Sequence, residues 1–486
     1  MKIFNSFLKY EKENNMYSKE IFGFKYWEYV RFVIYTELKI KTEGLSDLLV
    51  IPKRKMKDYL INFKEFKKFI NFFYPKKHDV LVISHPRRVL QNGKYENIYI
   101  DKLVEHLSKK YSCITFEEPC WKSFVLSDHS HLYPILTENI LYTDLFEIKF
   151  ILKNKAFKIF KRKKYKVVEN EVDLLLDKLN KKYNVDIWYI KERVISSIMY
   201  GILMRNNYLK IIKRVNPKLV IINYWPTDFK TMTFDICNSL NIPTVELQHG
   251  TITYDDPIEH KCYDTNMCKC TAKYFWSFGK AQVDTRLFTT QKSNVKTIGY
   301  PFLEEKSKEK LPNNFDSKIK YILIISQTII GEQMSQFAGE LADLLNSEKK
   351  YKNYKILFKY HPNEIGRNYS ALDKDNIIKL DKKGDEIYKY QRQSFMQIGV
   401  YSTAVYEGIA FGLPTVIINN MSGSEEAKKI VSYMTKGIYF ADTPQDVIHL
   451  LQKKLSLPLK KEINDLWENN SFKRINSEIK KLLKNN

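Results

Sequence analysis

The sequence predicts an α/β protein built as two parallel-sheet domains that face each other across a cleft. Three observations predict it: a length of 486 residues, two separate series of short apolar runs alternating with helical stretches, and a polar break between the series. A chain of this length exceeds the ~250 to 300 residues at which a single core stops growing, so two domains are expected. Hydrophobic residues make up 44% and aromatic residues 14%, enough to pack both cores and to exclude wholesale disorder.

Residues 1–76 are rich in Lys, Phe and Tyr. FKYWEYVRFVIYTELK and YLINFKEFKKFINFF place aromatics three and four residues apart, the spacing of basic amphipathic helices. They read as helices packed on a neighbouring domain, with a membrane interface as the alternative. From His78 the pattern changes to HDVLVISHPRR, YSCITFEEP, PKLVIINYW, IPTVELQHG, AKYFWSFG and NVKTIGYP. Each is an apolar run that ends in polar or Gly/Pro residues, as a parallel strand covered on both faces does. These runs assign residues 77–303 to a first Rossmann-like domain, whose ligand crevice lies at the carboxyl ends of the strands. The polar segment 304–320, with its Pro and Asn, reads as the linker. YILIISQT, YKILFKYHPNE, NIIKL, FMQIGVYST and LPTVIIN then form a second, smaller Rossmann-like domain, residues 321–456. Residues 457–486 are helical in pattern and are expected to pack back on the first domain.

Lys and Arg number 80 against 56 Asp and Glu, a net charge of +24. That excess sits mostly on the surface, where it attracts phosphates, nucleic acid or anionic lipid. The charged start MKIFNSFLKYEKENN has no apolar core before a cleavage site, so no secretory signal is expected. No run reaches the ~18 apolar residues of a membrane span. A cytoplasmic chain is expected, with peripheral contact to anionic membrane through basic stretches at 24–38, 59–77 and 150–166. The six cysteines do not resemble a disulfide framework, in keeping with a reducing compartment. His260, Cys262, Cys268 and Cys270 lie close together but lack paired C-x₂-C spacing. A reduced, structural role is the expectation, with zinc as the alternative.

Chemistry concentrates in FKYHPNE and GVYSTAVYEGIAFGLPTVIIN. His361 follows a hydrophobic strand, and Pro362 stops the sheet, so the imidazole is expected in the strand-end crevice, able to donate to a phosphate. Ser402 and Thr403 occupy the first turn of a helix, where backbone N–H groups, hydroxyls and the helix dipole form an anion site. Glu407 comes one turn later, within reach of a ribose diol. Gly412 and Pro414 turn the chain into the next strand.

This strand-HP element, followed by strand-S-T-x-x-x-E-x-x-x-x-G-x-P-x-V, resembles the donor-binding domain of GT-B glycosyltransferases. More narrowly, it resembles the bacterial surface-polysaccharide group of capsule Kdo transferases, polysialyltransferases and CDP-glycerol glycerophosphotransferases. The resemblance spans roughly residues 215–420. It implies that His361, Ser402 and Thr403 hold the nucleotide phosphate and that Glu407 holds the ribose. Gln248-His249-Gly250, at the end of IPTVELQHG, resembles the His-Gly motif of the same enzymes. The acidic motif of the sialyltransferase branch is missing there, which speaks against a sialic acid donor.

Candidates for a catalytic base are His249, Asp255, Asp256 and Glu246, of which His has the suitable ordinary pKa of ~6.5. SHPRR, with Ser84, His85, Arg87 and Arg88, offers contacts to an acidic or phosphorylated acceptor; ordinary surface ion pairs are the alternative. No DxD-type metal element is present, so a metal-independent enzyme without cofactor is expected, with leaving-group charge met by fixed donors. The expected activity is transfer of a sugar from a nucleotide-sugar donor to a surface polysaccharide or lipid-linked acceptor. The alternatives are polyol-phosphate transfer from a CDP-linked donor, and a basic nucleic-acid-binding protein, against which stands the lack of any recognised nucleic-acid motif.

Overall fold

The structure, a computed structural model, describes residues 2–42, 66–84, 89–91, 94–118, 140–223, 226–250, 252, 258, 262–263, 266–283, 290–310, 315–361, 364, 366–380 and 387–484. Seven strands form a first sheet: β1 Val80–Ile83, β2 Cys113–Glu117, β3 Ile140–Tyr142, β4 Leu219–Asn223, β5 Thr244–Leu247, β6 Tyr274–Ser277 and β7 Val295–Thr297. Six form a second: β8 Lys320–Ile325, β9 Tyr354–Lys359, β10 Ile377–Leu380, β11 Met396–Gly399, β12 Thr415–Ile418 and β13 Ile438–Ala441. The spatial orders are β7-β6-β5-β4-β1-β2-β3 and β10-β9-β8-β11-β12-β13, with every pairing parallel. Both sheets therefore run third-second-first-fourth-fifth-sixth, the order of dinucleotide-binding sheets, and both reverse direction between their first and fourth strands. This is the two-domain, Rossmann-like α/β class that the sequence predicts.

The strands form where the sequence is β-branched and apolar without interruption. VLVI of β1, LVIIN of β4 and TVII of β12 are buried at every position, because helices cover both faces of a parallel sheet. Each fully buried Val, Leu or Ile contributes about 1.5–3 kcal/mol of hydrophobic free energy. The strands are thus rigid, and their exits are fixed platforms.

Among the helices that cover these sheets or frame the crevice are α1 Trp27–Thr42, α2 Asp144–Phe160, α3 Arg162–Tyr183, α4 Asp228–Ser239, α5 Thr403–Ala410, α6 Lys460–Leu466 and α7 Ser471–Lys484. Trp27, Val30, Ile34, Tyr35 and Leu38 of α1 are buried in one core with Leu81 of β1 and Phe116 of β2. Of the three stretches expected to meet lipid, 24–38 therefore turns its apolar face inward. In 59–77, Phe69 and Phe72 are buried as well, and 59–65 lie outside the described residues. Aromatics at helical spacing suit a sheet-covering layer as well as they suit a bilayer; here the sheet has them. Residues 150–166 differ in part: Phe150 and Tyr165 are buried in the same core, whereas Leu152, Ile159 and Phe160 stay exposed.

At the other end, Leu466, Trp467, Ile475 and Ile479 share an apolar cluster with Val80 and Val82 of β1, Trp276 of β6, and Tyr406 and Ile409 of α5. Trp467 Nε1 donates to the Tyr406 carbonyl at 2.8 Å. The C-terminal helices thus join the two domains through one core, and α5 is anchored to both. Among the described residues no helix is long and apolar enough to cross a membrane.

One expectation is corrected. Cys262 and Cys268 form a disulfide within the β5–β6 connection, where a reduced state is predicted from the sequence. Reading for a framework of long-range bridges misses a local pair only six positions apart in sequence. Cys270, Cys113 and Cys237 are buried free thiols. Among the described residues no three His, Cys, Asp or Glu side chains cluster to hold a metal; His260 lies outside those residues.

Glu96 is buried at the end of a short ribbon strand, 3.8 Å from Lys102. Burial, only partly opposed by Lys102, pushes its carboxyl from an ordinary 4.5 up to about 7. The folded chain therefore holds a proton that the unfolded chain releases between pH 4.5 and about 7, so this group's contribution to stability falls as pH rises through that window. Glu96→Gln is expected to match wild type near about pH 5 and to be more stable by roughly 3 kcal/mol near about pH 8. Denaturant titrations at the two pH values check this; an equal difference at both contradicts it.

Candidate functional site

In the second domain β8 is first in sequence, and its sheet neighbours are β9 and β11. His361 follows β9 and Ser402 follows β11, so topology alone places them on either side of the β8 exit, at the switch point. His361 Nδ1 lies 2.9 Å from the Thr328 hydroxyl, and the Tyr401 N–H donates to Gln327 Oε1 at 3.4 Å. The Gln327–Thr328 loop after β8 therefore bridges the two motifs.

Glu364 fixes the turn that carries His361. Its buried carboxylate accepts the His361 N–H at 2.8 Å, the Ser326 hydroxyl at 3.1 Å and the Tyr369 hydroxyl at 2.8 Å, while its own N–H donates to the His361 carbonyl. Three donors on one carboxylate offset its desolvation. Gly331 leaves the room: a Cβ there would collide with the Glu364 carboxylate.

Ser402 is the N-cap of α5, with extended backbone and its hydroxyl accepting the Ala404 N–H at 3.3 Å. The first-turn carbonyls of Ala404 and Val405 are held by the side-chain amides of Gln391 and Gln397, which orients the helix start. Ser402 and Thr403 are half-buried, as is His361, whereas Glu407 lies buried in the second turn of α5. Tyr401 packs its ring where a Cβ on Gly423 would stand; Gly423 has φ 89°, a conformation open to glycine.

From the first domain, the Gln248-His249-Gly250 turn follows β5. Gln248 is buried and saturated: its amide donates to the Gly250 carbonyl and to Gln282 Oε1, both at 2.7 Å, and its carbonyl accepts the Phe278 N–H at 2.8 Å. That network locks the turn, leaving His249 half-buried. A Cβ on Gly250 would stand 3.6 Å from Thr403 Oγ1. The glycine of the first domain's motif thus lies against the start of α5 in the second. Glu246 is buried inside β5, paired with β4 and β6, two residues short of the strand exit. Asp255 and Asp256, and the acceptor candidates His85, Arg87 and Arg88, lie outside the described residues.

Sequence reading missed a buried ionic network at the exits of β1, β2 and β4. Ser84 donates to the Glu117 carboxylate. Lys230 of α4 is fully buried, donates to the Asn223 carbonyl at 2.8 Å, and sits 3.4 Å from Glu118, which also accepts the Thr227 hydroxyl at 2.7 Å. Burial lowers the Lys230 pKa, opposed by Glu118. Adjacent acids after a strand and a lysine on a following helix look like surface groups; only the sheet order reveals that they converge. Glu364 had a faint signal, an acid three residues after His361 on a turn.

The sequence matches no described protein family and no curated protein. Among solved structures the chain is similar to UDP-GlcNAc 2-epimerase from Neisseria meningitidis bound to UDP-GlcNAc, at 11% identity over 84% of this chain and 99% of that one, with a TM-score of 0.49. It is also similar to the kitacinnamycin glycotransferase, at 8% identity over 85% and 96% with a TM-score of 0.43. For the wall teichoic acid polymerase TagF the values are 12%, 88%, 97% and 0.42. The two strand orders show the Rossmann-like fold of each domain.

Proposed function

We propose that the chain is a metal-independent glycosyltransferase that moves a sugar from a nucleotide donor to a growing surface polysaccharide or lipid-linked acceptor, at the inner face of the membrane. The observation that carries this reading is the arrangement at the second domain's switch point: His361 and the Ser402–Thr403 helix start flank the exit of β8, and the first domain's Gly250 lies against Thr403. The Thr328 hydroxyl can either donate to or accept from Nδ1; in the tautomer in which it donates, a neutral His361 ring carries its proton on Nε2 and can donate it to a phosphate oxygen. The helix start adds hydroxyls and its positive dipole end. These donors stabilise the departing nucleotide's charge in place. Glu407 accepts from the ribose hydroxyls, and His249 takes the acceptor's proton across the domain junction. The His85, Arg87 and Arg88 segment after β1 is assigned to an acidic acceptor, and the chain's positive charge to peripheral contact with the anionic membrane that bears it.

Thermal unfolding in the presence of CMP, CDP, UDP and GDP tests the reading. A nucleotide that binds only the folded state adds about 2.7 kcal/mol at a hundred times its dissociation constant, so one of the four is expected to raise the melting temperature by several degrees. A response to CDP alone redirects the assignment to polyol-phosphate transfer. No response to any nucleotide, with tight salt-sensitive RNA binding instead, contradicts it.

A further inference from the structure

Helix α2 carries two apolar stripes. Phe146 and Phe150, with Phe157 partly covered, pack on the first domain's core. Leu152, Ala156, Ile159 and Phe160, at positions i, i+4, i+7 and i+8, form another stripe that faces out. Leu152 is 57% exposed, Ile159 69% and Phe160 79%. Scattered apolar residues on a surface are ordinary; a helical stripe of them ending in an almost uncovered phenylalanine marks a contact surface.

A second element joins it. Phe22 sits at the apex of the ribbon Glu20–Ile21/Phe24–Lys25, 50% exposed and at φ 54°, a conformation that a bulky residue rarely adopts. Lys164, at the start of α3, lies 5.7 Å over its ring, so the ribbon apex belongs to the α2–α3 corner. The corner is also strongly basic: residues 149–166 contain nine Lys and Arg and no Asp or Glu. Lys153 has its pKa lowered by burial and then by the like charges of Lys149 and Lys210.

We propose that the α2–α3 corner is an interfacial anchor, seating Phe160, Ile159 and Phe22 at the headgroup–acyl boundary of an anionic bilayer while the surrounding lysines meet lipid phosphates. Charge complementarity selects an anionic partner, and the protruding aliphatic side chains select a lipid one. Single-stranded nucleic acid stacks on planar rings, which Leu152 and Ile159 do not offer, whereas an acyl boundary takes both aliphatic and aromatic groups. The proposal rests on the membrane contact in the proposed function and not on its donor chemistry.

Sedimentation with vesicles of three phosphatidylcholine to one phosphatidylglycerol, and with phosphatidylcholine alone, tests it. Wild type is expected to bind the mixed vesicles alone, and more weakly as salt rises. The Ile159→Ser/Phe160→Ser double variant is expected to bind roughly 10- to 100-fold more weakly, from lost apolar burial. Replacing Lys161, Lys163 and Lys164 by Gln is expected to cost on the order of 100-fold. Melting temperature and nucleotide affinity should stay unchanged in both, since these residues lie outside core and crevice. If wild type binds mixed vesicles and the double variant binds them equally well, the anchor is overturned while the membrane reading stands. If wild type ignores mixed vesicles, both fall, whatever the nucleotides do. Retention of a single-stranded RNA oligomer in place of vesicles, indifferent to Ile159 and Phe160, makes nucleic acid the partner and overturns the proposal.

Discussion

His361→Ala is expected to weaken nucleotide binding by roughly 10- to 100-fold, the worth of one lost hydrogen bond to a charged group, without unfolding the chain. The backbone of the turn explains the selectivity. Glu364 holds it through the His361 N–H, Ser326 and Tyr369, and none of these bonds uses the imidazole. The ring's bond to Thr328 is lost, but Thr328 follows a strand whose Ile322, Leu323 and Ile324 are fully buried, so the platform stays. Calorimetric titration of the purified variant checks this. Undiminished affinity would mean that the ring faces something other than the donor phosphate.

The second large effect is on turnover. His249→Ala should lower it by ~10² to 10⁴, the usual cost of removing a positioned base, while donor affinity changes little. Gln248 fixes the turn independently of its neighbour through Gln282, Phe278 and the Gly250 carbonyl, so the substitution leaves Gly250 against Thr403. Asp255→Ala and Asp256→Ala are expected to retain more activity. Near-normal turnover in His249→Ala, with either aspartate variant inactive, would transfer the base to the carboxylate and leave His249 a strand-end scaffold.

The strands were legible because a parallel sheet demands uninterrupted apolar runs, and VLVI, LVIIN and TVII supply them. The positions of His361 and Ser402 at strand exits were legible for the same reason. Their convergence was not, because it depends on β8 lying between β9 and β11, which no local pattern encodes. Gln327 and Thr328 went unread on that account, as did the Lys230–Glu118 pair: each needs the sheet order before its neighbours are known. The α1 aromatics show a different limit. A face of Trp27, Val30, Ile34 and Leu38 has the same periodicity whether it meets a sheet or a bilayer, and only packing separates the cases. The Cys262–Cys268 bridge was hidden because two cysteines six positions apart carry no spacing signature of a bridge.

Whether a nucleotide's phosphates lie at the second domain's switch point can be seen in a crystal structure of the chain soaked with the nucleotide that stabilises it most. Phosphate oxygens are expected within hydrogen-bonding distance of the His361 ring and of the Ser402–Thr403 helix start, with the ribose toward Glu407. A nucleotide seated instead at the exits of β1, β2 and β4, beside Glu118 and Lys230, would contradict this placement and exchange the roles of the two domains.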